Sequence, residues 1–517
     1  MKPANLVRSG TVVGLMTLLS RVMGFIRDQV LAIVFGASAM TDVFLVAFKI
    51  PNFLRRLFAE GAFATAFVPV FTEYKETRSR EAMLDLAAHV SGTLAVILLL
   101  VSTLGVMFSP VFIMLFAPGF IDEPERFALA TQMLRITFPY LFFVSLVAYA
   151  GSILNTFGKF AIPSITPVLL NISMIAAALY LSPLFSVPIV ALAWGVFAAG
   201  ALQLLLQVPF LHRMGLLPRP TWGWKHPGVR RILKLMAPAV LGSSVAQINL
   251  LLDTIIASFL TVGSLSWLYY SDRLMEFPLG LLGVTLATVI LPRLAKEHSL
   301  DTQEEFKRTL DWAIRLVLVL GLPSAVGLML MAEPMLLTLF GYGAFTPLDA
   351  SMASYSLIAY GIGLPAFLLT KIFAPAFYAR QNTRTPVRIG IIALVANMGY
   401  NLLFVLPMIW LDFLAPHVGL ALASSVAAWQ QAVMLYRKLA ADEIYRLSPE
   451  LVSFARRVLP ALAALALLLV LSAGISWQSH GAIGRLVMLL GIITGGGLTY
   501  ALGLILAGIR PRQLASP

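Results

Sequence analysis

Residues 458–473 read Val-Leu-Pro-Ala-Leu-Ala-Ala-Leu-Ala-Leu-Leu-Leu-Val-Leu-Ser-Ala, an apolar stretch that contains no charged side chain. Residues 486–509 form a second, longer uncharged stretch. A helix needs about 20 mostly apolar residues to cross the hydrocarbon core of a bilayer. Stretches of this kind predict membrane-spanning helices, and they decide the fold class.

The rest of the chain has the same apolar character. Of its 517 residues, 59% are hydrophobic and only 12% are charged, and the mean hydropathy is +0.88. A soluble protein is closer to half apolar and a quarter charged, so this composition excludes an ordinary cytosolic enzyme as well as a disordered chain. The sequence therefore predicts an all-α polytopic membrane protein. Its 14 predicted transmembrane helices lie near 9–36, 40–72, 85–117, 127–156, 163–182, 188–212, 229–261, 264–295, 310–340, 351–379, 387–410, 417–438, 454–474 and 484–509.

The positive charges are distributed unevenly along the chain, whose formal net charge is +13. With the N-terminus placed in the cytoplasm, 26 of the 37 Lys and Arg residues fall in inside segments. Two cations, Arg126 and Arg485, fall outside, and the remaining nine lie in the interior of the predicted helices, where residues at the cytoplasmic helix ends are counted with the inside segments. Cytoplasmic loops of membrane proteins carry such an excess of Lys and Arg. We therefore predict that both termini are cytoplasmic and that the charge reflects topology rather than binding to nucleic acid.

The sequence offers little for covalent catalysis or metal binding. It has no cysteine, which excludes disulfides, thiol catalysis and thiolate metal sites, and its six histidines show no i, i+4 pairing, so no metal site is predicted from them. It also lacks the Gly-x-x-x-x-Gly-Lys-Ser/Thr motif of ATP-binding loops. No loop is long enough to build a hydrolytic active site. We predict a transporter, not an enzyme, driven by an ion gradient, the membrane potential or the gradient of its substrate.

Two halves of the chain repeat each other. Pro69 and Pro292 occur in similar surroundings, as do Pro163 and Pro386, and the members of each pair are 223 residues apart. Each repeat contains six predicted helices, so both halves enter the membrane in the same direction. This arrangement is typical of transporters that rock two bundles around a central cavity. The predicted divisions are 1–215 with helices 1–6, 216–440 with helices 7–12, and 441–517 with the two extra helices 13 and 14.

Charged side chains interrupt several predicted helices. At about 3 kcal/mol each on insertion scales, nine cations in lipid would cost roughly 27 kcal/mol, more than the typical net stability of about 5–15 kcal/mol. Most of them must be paired or face a wet interior, whereas Arg135 and Arg315 lie near helix ends and can reach the interface. The candidate binding residues are Arg21 and Arg27 on helix 1, Lys49, Asn52, Arg55 and Arg56 on helix 2, and Arg273 on helix 8, and the candidate gating or ion-pairing residues are Asp28, Asp42, Glu60, Asp272 and Glu276.

Arginine dominates among these cations, and its planar fork suits phosphate or pyrophosphate better than a cationic drug. The alternative is that these charges pair with one another and only join the two halves. The small residues of the last predicted helix also allow two interpretations, helix packing or a lipid-binding groove. Gly491 and residues 495–497 give helix 14 a small-residue face, which is typical of tight helix packing and would also suit an apolar groove for a lipid tail.

The charged blocks on helices 1, 2 and 8 are long and specific. They are Ser20-Arg21-x-x-Gly24-Phe25-x-Arg27-Asp28, Thr41-Asp42 followed by Ala47-Phe48-Lys49-x-Pro51-Asn52, Leu54-Arg55-Arg56-x-Phe58-Ala59-Glu60-Gly61-Ala62-Phe63, and Tyr269-Tyr270-x-Asp272-Arg273-Leu274-Met275-Glu276-Phe277-Pro278. In these blocks, and over essentially the whole chain, the sequence resembles the MurJ/MviN family of lipid II flippases. That family belongs to the wider superfamily of multidrug, oligosaccharide-lipid and polysaccharide exporters.

The resemblance implies a flippase of the bacterial inner membrane that works by alternating access. Its substrate would be the undecaprenyl-pyrophosphate-linked precursor of peptidoglycan, carried from the cytoplasmic to the periplasmic leaflet. By resemblance, Asp42 would act in gating, and helices 13 and 14 would form a groove for the polyprenyl tail. The family's cavity arginines match Arg21, Arg27, Arg55 and Arg273, which would bind the pyrophosphate and the sugar head.

Energy coupling and protein partners stay open. Some family members bind Na⁺, and Asp253 and Asn397 are candidate ligands here, with the membrane potential as the other driving force. Proteins of cell-wall synthesis are candidate partners. Two alternatives to lipid II transport remain. One is export of another lipid-linked oligosaccharide, and the other is a membrane scaffold of the cell-wall machinery that transports nothing.

Overall fold

The architecture is helical throughout the described part of the chain. A computed structural model describes residues 3–217, 219–300, 302–472, 474–510 and 514, and every regular element in these ranges is a helix. The predicted all-α class is therefore confirmed. The chain divides into two compact units, Met1–Gly263 and Ser264–Pro517, which we describe separately.

The first unit contains ten α-helices within the described residues. Two of them continue as wider π-helical turns, Arg55–Phe63 and Ala177–Leu181. The α-helices are α1 (Pro3–Phe35), α2 (Ala39–Leu54), α3 (Ala64–Thr77), α4 (Arg80–Met107), α5 (Ser109–Phe116), α6 (Pro124–Thr137), α7 (Tyr140–Thr156), α8 (Ala161–Ala176), α9 (Val190–Arg213) and α10 (Pro227–Ala257).

The second unit is built in the same way. A π-helical turn, Val317–Gly321, joins two of its helices into one continuous rod. Its α-helices are α11 (Ser264–Ser299), α12 (Gln303–Leu316), α13 (Leu322–Leu330), α14 (Ala332–Leu339), α15 (Pro347–Ala379), α16 (Arg384–Trp410), α17 (Val418–Ala441), α18 (Pro449–Ser472) and α19 (Ala482–Leu506).

Each of the 14 predicted segments overlaps helical structure in the described residues, and several are divided. The segment predicted over 85–117 consists of α4 and α5, which separate at Phe108, two residues before Pro110. The segment over 127–156 consists of α6 and α7, which separate at Phe138 and Pro139. Proline lacks the backbone N–H that a continuous helix requires, which accounts for both breaks.

Ten helical segments of the described chain are long and apolar enough to cross a membrane. They make this a protein with multiple membrane spans. Parts of several other helices lie outside the described residues, so the number ten applies to the described chain alone. The total of 14 spans stays a prediction.

An aromatic cluster holds the middle of the first unit together. Phe63, Phe67 and Phe71 stack in succession, with ring centroids 5.1 and 5.0 Å apart. Tyr149 on α7 packs 5.3 Å from Phe67 and donates a hydrogen bond of 2.8 Å to the Ala87 carbonyl on α4. These large buried rings pack the π-helical turn that carries Arg55 and Arg56 against α7, and Tyr149 joins α7 to α4.

Packing and sequence repetition divide the chain at different places. Helix α10 packs against Arg55–Phe63 and α3, and so belongs to the first compact unit. The internal repeat instead assigns this helix to the second lobe, which is predicted to begin at 216. The repeat describes how the sequence is organised and the compact units describe which helices touch, so the lobe boundaries stay a prediction.

Candidate functional site

Helix α2 delivers its polar side chains through a local widening of the backbone. The helix starts at the cap Ser38, whose hydroxyl accepts the Thr41 N–H at 3.3 Å, and it contains Pro51 without interruption. From Arg55 the helix continues as a π-helix, a rare geometry that occurs often at functional sites. Arg55 Nε donates to Asn52 Oδ1 at 2.9 Å, so the structure brings together two of the predicted binding residues.

Arg27 and Asp28 form a buried pair on α1. The Nε and Nη2 atoms of Arg27 lie 2.9 and 2.7 Å from Asp28 Oδ1. Only 8% of Arg27 and 2% of Asp28 is exposed. The third side of the guanidinium faces α8, where Nη1 donates to Asn171 Oδ1 at 3.0 Å. A cation this deeply buried has to be paired, and here both a carboxylate and an amide serve as acceptors.

Asn171 is fixed as tightly as the arginine that it contacts. Its Nδ2 donates to the Ser20 carbonyl at 3.2 Å, and a Cβ added at Gly24 would lie 3.6 Å from the same nitrogen. A Cβ at this position would therefore make an ordinary van der Waals contact with Asn171. Asn171 therefore joins two helices through hydrogen bonds that use both ends of its amide.

Lys49 lies on the face of α2 that turns toward α10. Its Nζ donates to Thr254 Oγ1 at 2.9 Å, across 205 positions of sequence. Thr254 is 1% exposed, and Lys49 is partly buried. A third predicted cation therefore has a hydrogen-bonding partner within the first unit.

Asp42 closes one end of the first unit. Its Oδ2 accepts the Gly263 N–H at 2.7 Å and lies 3.9 Å from Arg126 Nη2. Gly263 has φ of +94°, a conformation that favours glycine, and Asp42 is only 1% exposed. Arg126 also pairs with Glu123 at 2.6 Å and stacks over Phe120. The first turn of α2, the start of α6 and the segment after α10 therefore meet at one buried carboxylate.

The second unit carries its own charged cluster on α11. Arg273 Nη1 lies 2.8 Å from Glu276 Oε2, and its guanidinium carbon lies 4.8 Å from the ring centroid of Tyr269. The side chain of Arg273 is 33% exposed, so it is much more accessible than Arg27. Helix α11 is fixed against α15 by Trp267, whose Nε1 donates to Asp349 Oδ1 at 2.9 Å.

The remaining predicted residues are more scattered. Arg21 and Glu276 are exposed, and Arg56 and Asp272 are partly buried. The side chain of Glu60 lies outside the described residues. Asp253 lies on α10 in the first unit, whereas Asn397, 1% exposed, lies on α16 in the second. Their pairing as a Na⁺ site and the central cavity between the repeats both stay predictions.

The small-residue face of α19 divides into a packed part and an open part. A Cβ added at Gly503 would lie 2.8 Å from Ala461 Cβ, and one at Gly496 would lie 3.0 Å from Leu465 Cδ1. At Gly491 and Gly495, an added Cβ would meet no described atom within 4 Å. The two interpretations of this face therefore apply to different glycines: some pack against α18, and others leave an apolar surface open.

Several contact residues were absent from the sequence prediction. Asn171 and Thr254 are polar residues in apolar helices, and such residues usually mark a site, which is the signal that would have identified them. Arg126 was assigned to an outside loop, where it was one of only two cations. Their contacts with Arg27, Lys49 and Asp42 each span more than 80 positions, so spacing along the chain does not predict these contacts.

The described contacts give the site its chemistry. Arginine and lysine side chains in both units are oriented by neutral oxygens and by carboxylates, and guanidinium groups arranged in this way present forked N–H donors to an anion. Such donors suit an anion, for example a phosphate-bearing group.

Comparison with known proteins gives a consistent result. Residues 31–491 match the family model described as "Lipid II flippase MurJ". The "Probable lipid II flippase MurJ" of Vibrio cholerae serotype O1 is 49% identical, over 99% of this chain and 98% of that protein. The protein of the same name from Haemophilus influenzae is 48% identical, over 96% and 99%.

Solved structures agree with the sequence matches. One described as "Lipid II flippase MurJ, inward closed conformation" is 28% identical, with a TM-score of 0.78 over 95% of this chain and 98% of that one. An inward-facing multidrug resistance transporter of the MATE family has a TM-score of 0.68 over 84% of this chain at 13% identity, a likeness of fold alone.

Proposed function

This chain belongs to the lipid II flippase MurJ family, and we propose on that basis that it carries lipid II from the cytoplasmic to the periplasmic leaflet. Lipid II is the undecaprenyl-pyrophosphate-linked precursor of peptidoglycan. The observation that carries this conclusion is the family match over residues 31–491, together with 49% identity over nearly the full length of a relative. The protein is a transporter with many membrane spans, and alternating access is its mechanism.

The buried cations supply the chemistry that such a substrate requires. A pyrophosphate cannot enter a low-dielectric membrane unless its charge is compensated, and arginine compensates phosphate with paired N–H donors. Arg27 donates from three nitrogens to Asp28 and Asn171. We propose that the pyrophosphate replaces these acceptors when the head group binds. Internal pairing and substrate binding are then two states of the same side chain.

Arg273, which is more accessible than Arg27, is the better candidate for first contact with the substrate. Its pairing with Glu276 is partly open to solvent, and an exposed ion pair contributes at most about 1 kcal/mol, so an incoming phosphate can displace the carboxylate easily. We propose that Arg273 captures the anion, together with Arg21, Arg55, Lys49, Asn52 and Arg56. The polyprenyl tail would stay in lipid along the open face of α19.

The proposal also covers the driving force for transport and the orientation of the chain in the membrane. A membrane potential of 100 mV is worth about 2.3 kcal/mol per charge moved, enough to favour outward release of an anion. A Na⁺ ion bound through Asp253 or Asn397 is the other candidate driving force. Membership of the family favours the bacterial inner membrane, and the excess of Lys and Arg in the inside segments favours an orientation with both termini in the cytoplasm. Proteins of cell-wall synthesis remain candidate partners.

A transport measurement tests the function directly. Purified protein would be placed in liposomes with fluorescent lipid II, and a membrane-impermeant quencher would report how fast the head group changes leaflet. We expect rapid exchange with the wild type and little with Arg273→Ala. Arg308→Ala serves as the matched control, because Arg308 is an exposed arginine on α12 in the same unit. No exchange by folded wild-type protein, with a membrane potential imposed, would overturn the proposal.

A further inference from the structure

Two histidines and an aspartate from distant parts of the sequence meet at one end of the first unit. Asp85 and His89 lie one turn apart on α4, and His226 caps the start of α10. His89 Nδ1 is 3.2 Å from Asp85 Oδ1, and His226 Nε2 is 3.3 Å from Asp85 Oδ2. One nitrogen or oxygen atom from each of the three residues lies within 4.8 Å of the other two.

The loop before α10 is fixed to α4 by its backbone. The Thr221 N–H donates to the Ala88 carbonyl at 3.0 Å, and the Gly223 N–H donates to Thr93 Oγ1 at 3.0 Å. A Cβ at Gly223 would lie 2.4 Å from His89 Cβ, so only glycine allows the loop to pass this close. The meeting of the three side chains therefore follows from the docking of the loop rather than from a chance surface contact.

We propose that Asp85, His89 and His226 bind a divalent transition-metal ion of the zinc class. Imidazole nitrogens and a carboxylate are ligands that Zn²⁺ takes at about 2.0–2.2 Å, and a tetrahedral ion separates its ligands by about 3.3 Å. The nitrogen–oxygen separations of 3.2 and 3.3 Å, one to each oxygen of Asp85, are close to that spacing. The three ligand atoms lie within 4.8 Å of one another, so an ion would draw the side chains further together. Three protein ligands leave the fourth position to water. The ion would tie the loop between α9 and α10 to α4.

Metal binding would exchange hydrogen bonds that exist without it. His226 Nδ1 accepts the Gly228 N–H at 3.1 Å, so the ring proton lies on Nε2 and faces Asp85. When the metal takes Nε2, this proton moves to Nδ1 and the Gly228 N–H loses its acceptor. His89 Nδ1 likewise gives up its 2.8 Å contact with the Asp85 carbonyl. Binding of the ion should therefore loosen the first turn of α10 while it fixes the loop.

Titration of the untagged, metal-free full-length protein with Zn²⁺ tests the site, by calorimetry and by the visible absorption of Co²⁺ as a substitute. We expect one ion per chain and a tetrahedral Co²⁺ spectrum. His89→Gln and His226→Gln should each weaken binding by about tenfold or more. The control His212→Gln changes an exposed histidine at the end of α9 and should leave binding unchanged.

Hydrogen exchange supplies a second readout. With Zn²⁺ bound, the Gly228 amide should exchange faster, and the amides of Thr221 and Gly223 should exchange more slowly. The proposal is overturned if the wild type binds no Zn²⁺, or if the His89→Gln/His226→Gln double variant binds it as tightly as the wild type. If that double variant does not fold, Asp85→Asn decides instead, and unchanged affinity in this variant overturns the site.

Discussion

Asn171 Oδ1 accepts a hydrogen bond of 3.0 Å from Arg27 Nη1, and the two residues are 144 positions apart in the sequence. The opposite side of the guanidinium is bound by Asp28. Because Asn171 also donates to the Ser20 carbonyl, its amide cannot turn without breaking a second hydrogen bond. Asn171 is thus a positioning residue, which sets the direction in which Arg27 presents its donors.

Replacing Asn171 by alanine should slow transport and lower stability. The change removes an acceptor from a buried cation, and a buried donor without a partner typically costs about 1–3 kcal/mol. Thermal unfolding and the liposome assay would measure the two effects. Ser173→Ala is the matched control, because Ser173 lies on the same helix and bonds to the Gly195 carbonyl instead. If both variants transport equally well, Asn171 does not position Arg27.

Asn171→Asp tests whether the group on α8 competes with phosphate for Arg27. An aspartate keeps the acceptor for Arg27 and adds a negative charge beside it, so phosphate has to displace a stronger competitor, while the hydrogen bond to the Ser20 carbonyl is lost because a carboxylate cannot donate. We expect the substrate concentration for half-maximal transport to rise while the maximal rate changes less. A variant that lost rate without any change in apparent affinity would contradict this.

Arg273→Lys should recover only part of the activity that Arg273→Ala loses. Lysine keeps the charge but loses the forked donors and the planar stacking on Tyr269. A hydrogen bond to a charged group contributes about 1.5–3 kcal/mol, so loss of one fork should weaken binding roughly 10- to 100-fold. Growth of cells that depend on each variant, with membrane insertion checked separately, provides the measurement. Full activity of the lysine variant would show that charge alone suffices.

Asp42→Ala should open the end of the first unit that Asp42 closes. The Gly263 N–H would lose its buried acceptor, whereas Asp42→Asn retains an oxygen at the same place. The chain has no cysteine, so Leu260→Cys introduces a single thiol three residues before Gly263. Because Leu260 is buried, we expect that thiol to react roughly tenfold faster with a water-soluble reagent in the alanine variant than in the asparagine variant. Equal reaction rates in all backgrounds would rule out this closure.

Two glycines of α19 should respond in opposite ways to larger side chains. Gly503→Val places atoms within 3 Å of Ala461, so α18 and α19 must separate, at a typical cost of about 1–3 kcal/mol. Gly495→Leu enters open space and should leave the thermal midpoint unchanged. If the open face holds the polyprenyl tail, Gly495→Leu should slow transport of the long-chain substrate but not of a short-chain analogue. Equal transport of both would place the tail elsewhere.

The buried hydroxyl of Tyr445 should make the free energy of unfolding depend on pH in the alkaline range. Burial, and then the hydrogen bond that its hydroxyl donates to Asp311, raise the pKa of Tyr445 far above its ordinary value. The folded state therefore binds this proton more tightly than the unfolded state. Its contribution is fully present below about pH 10, the pKa of an unfolded tyrosine, and is lost as the pH rises further. The thermal midpoint should fall less steeply above pH 10 in Tyr445→Phe than in the control Tyr180→Phe, which changes an exposed tyrosine.

The sequence by itself determined the fold class and the type of charge at the site. Residues 458–473 predict a helix because a lipid bilayer leaves every backbone group to be satisfied within its own segment, so local composition decides the structure. Arg27, Lys49 and Arg273 are recognisable as candidate site residues for the same reason, because a cation in an apolar helix must find a partner or water. The helical segments can be predicted from the sequence because helix formation depends on residues a few positions apart.

The tertiary structure alone decided which side chains meet. Asn171 meets Arg27 and Thr254 meets Lys49 because particular helices lie side by side, and the sequence does not record the rotation of one helix against another. The same holds for His226, which reaches Asp85 only because a glycine lets its loop pass over α4. Hydropathy depends on residues a few positions apart, whereas these contacts join residues more than a hundred positions apart, and only packing brings them within hydrogen-bonding distance.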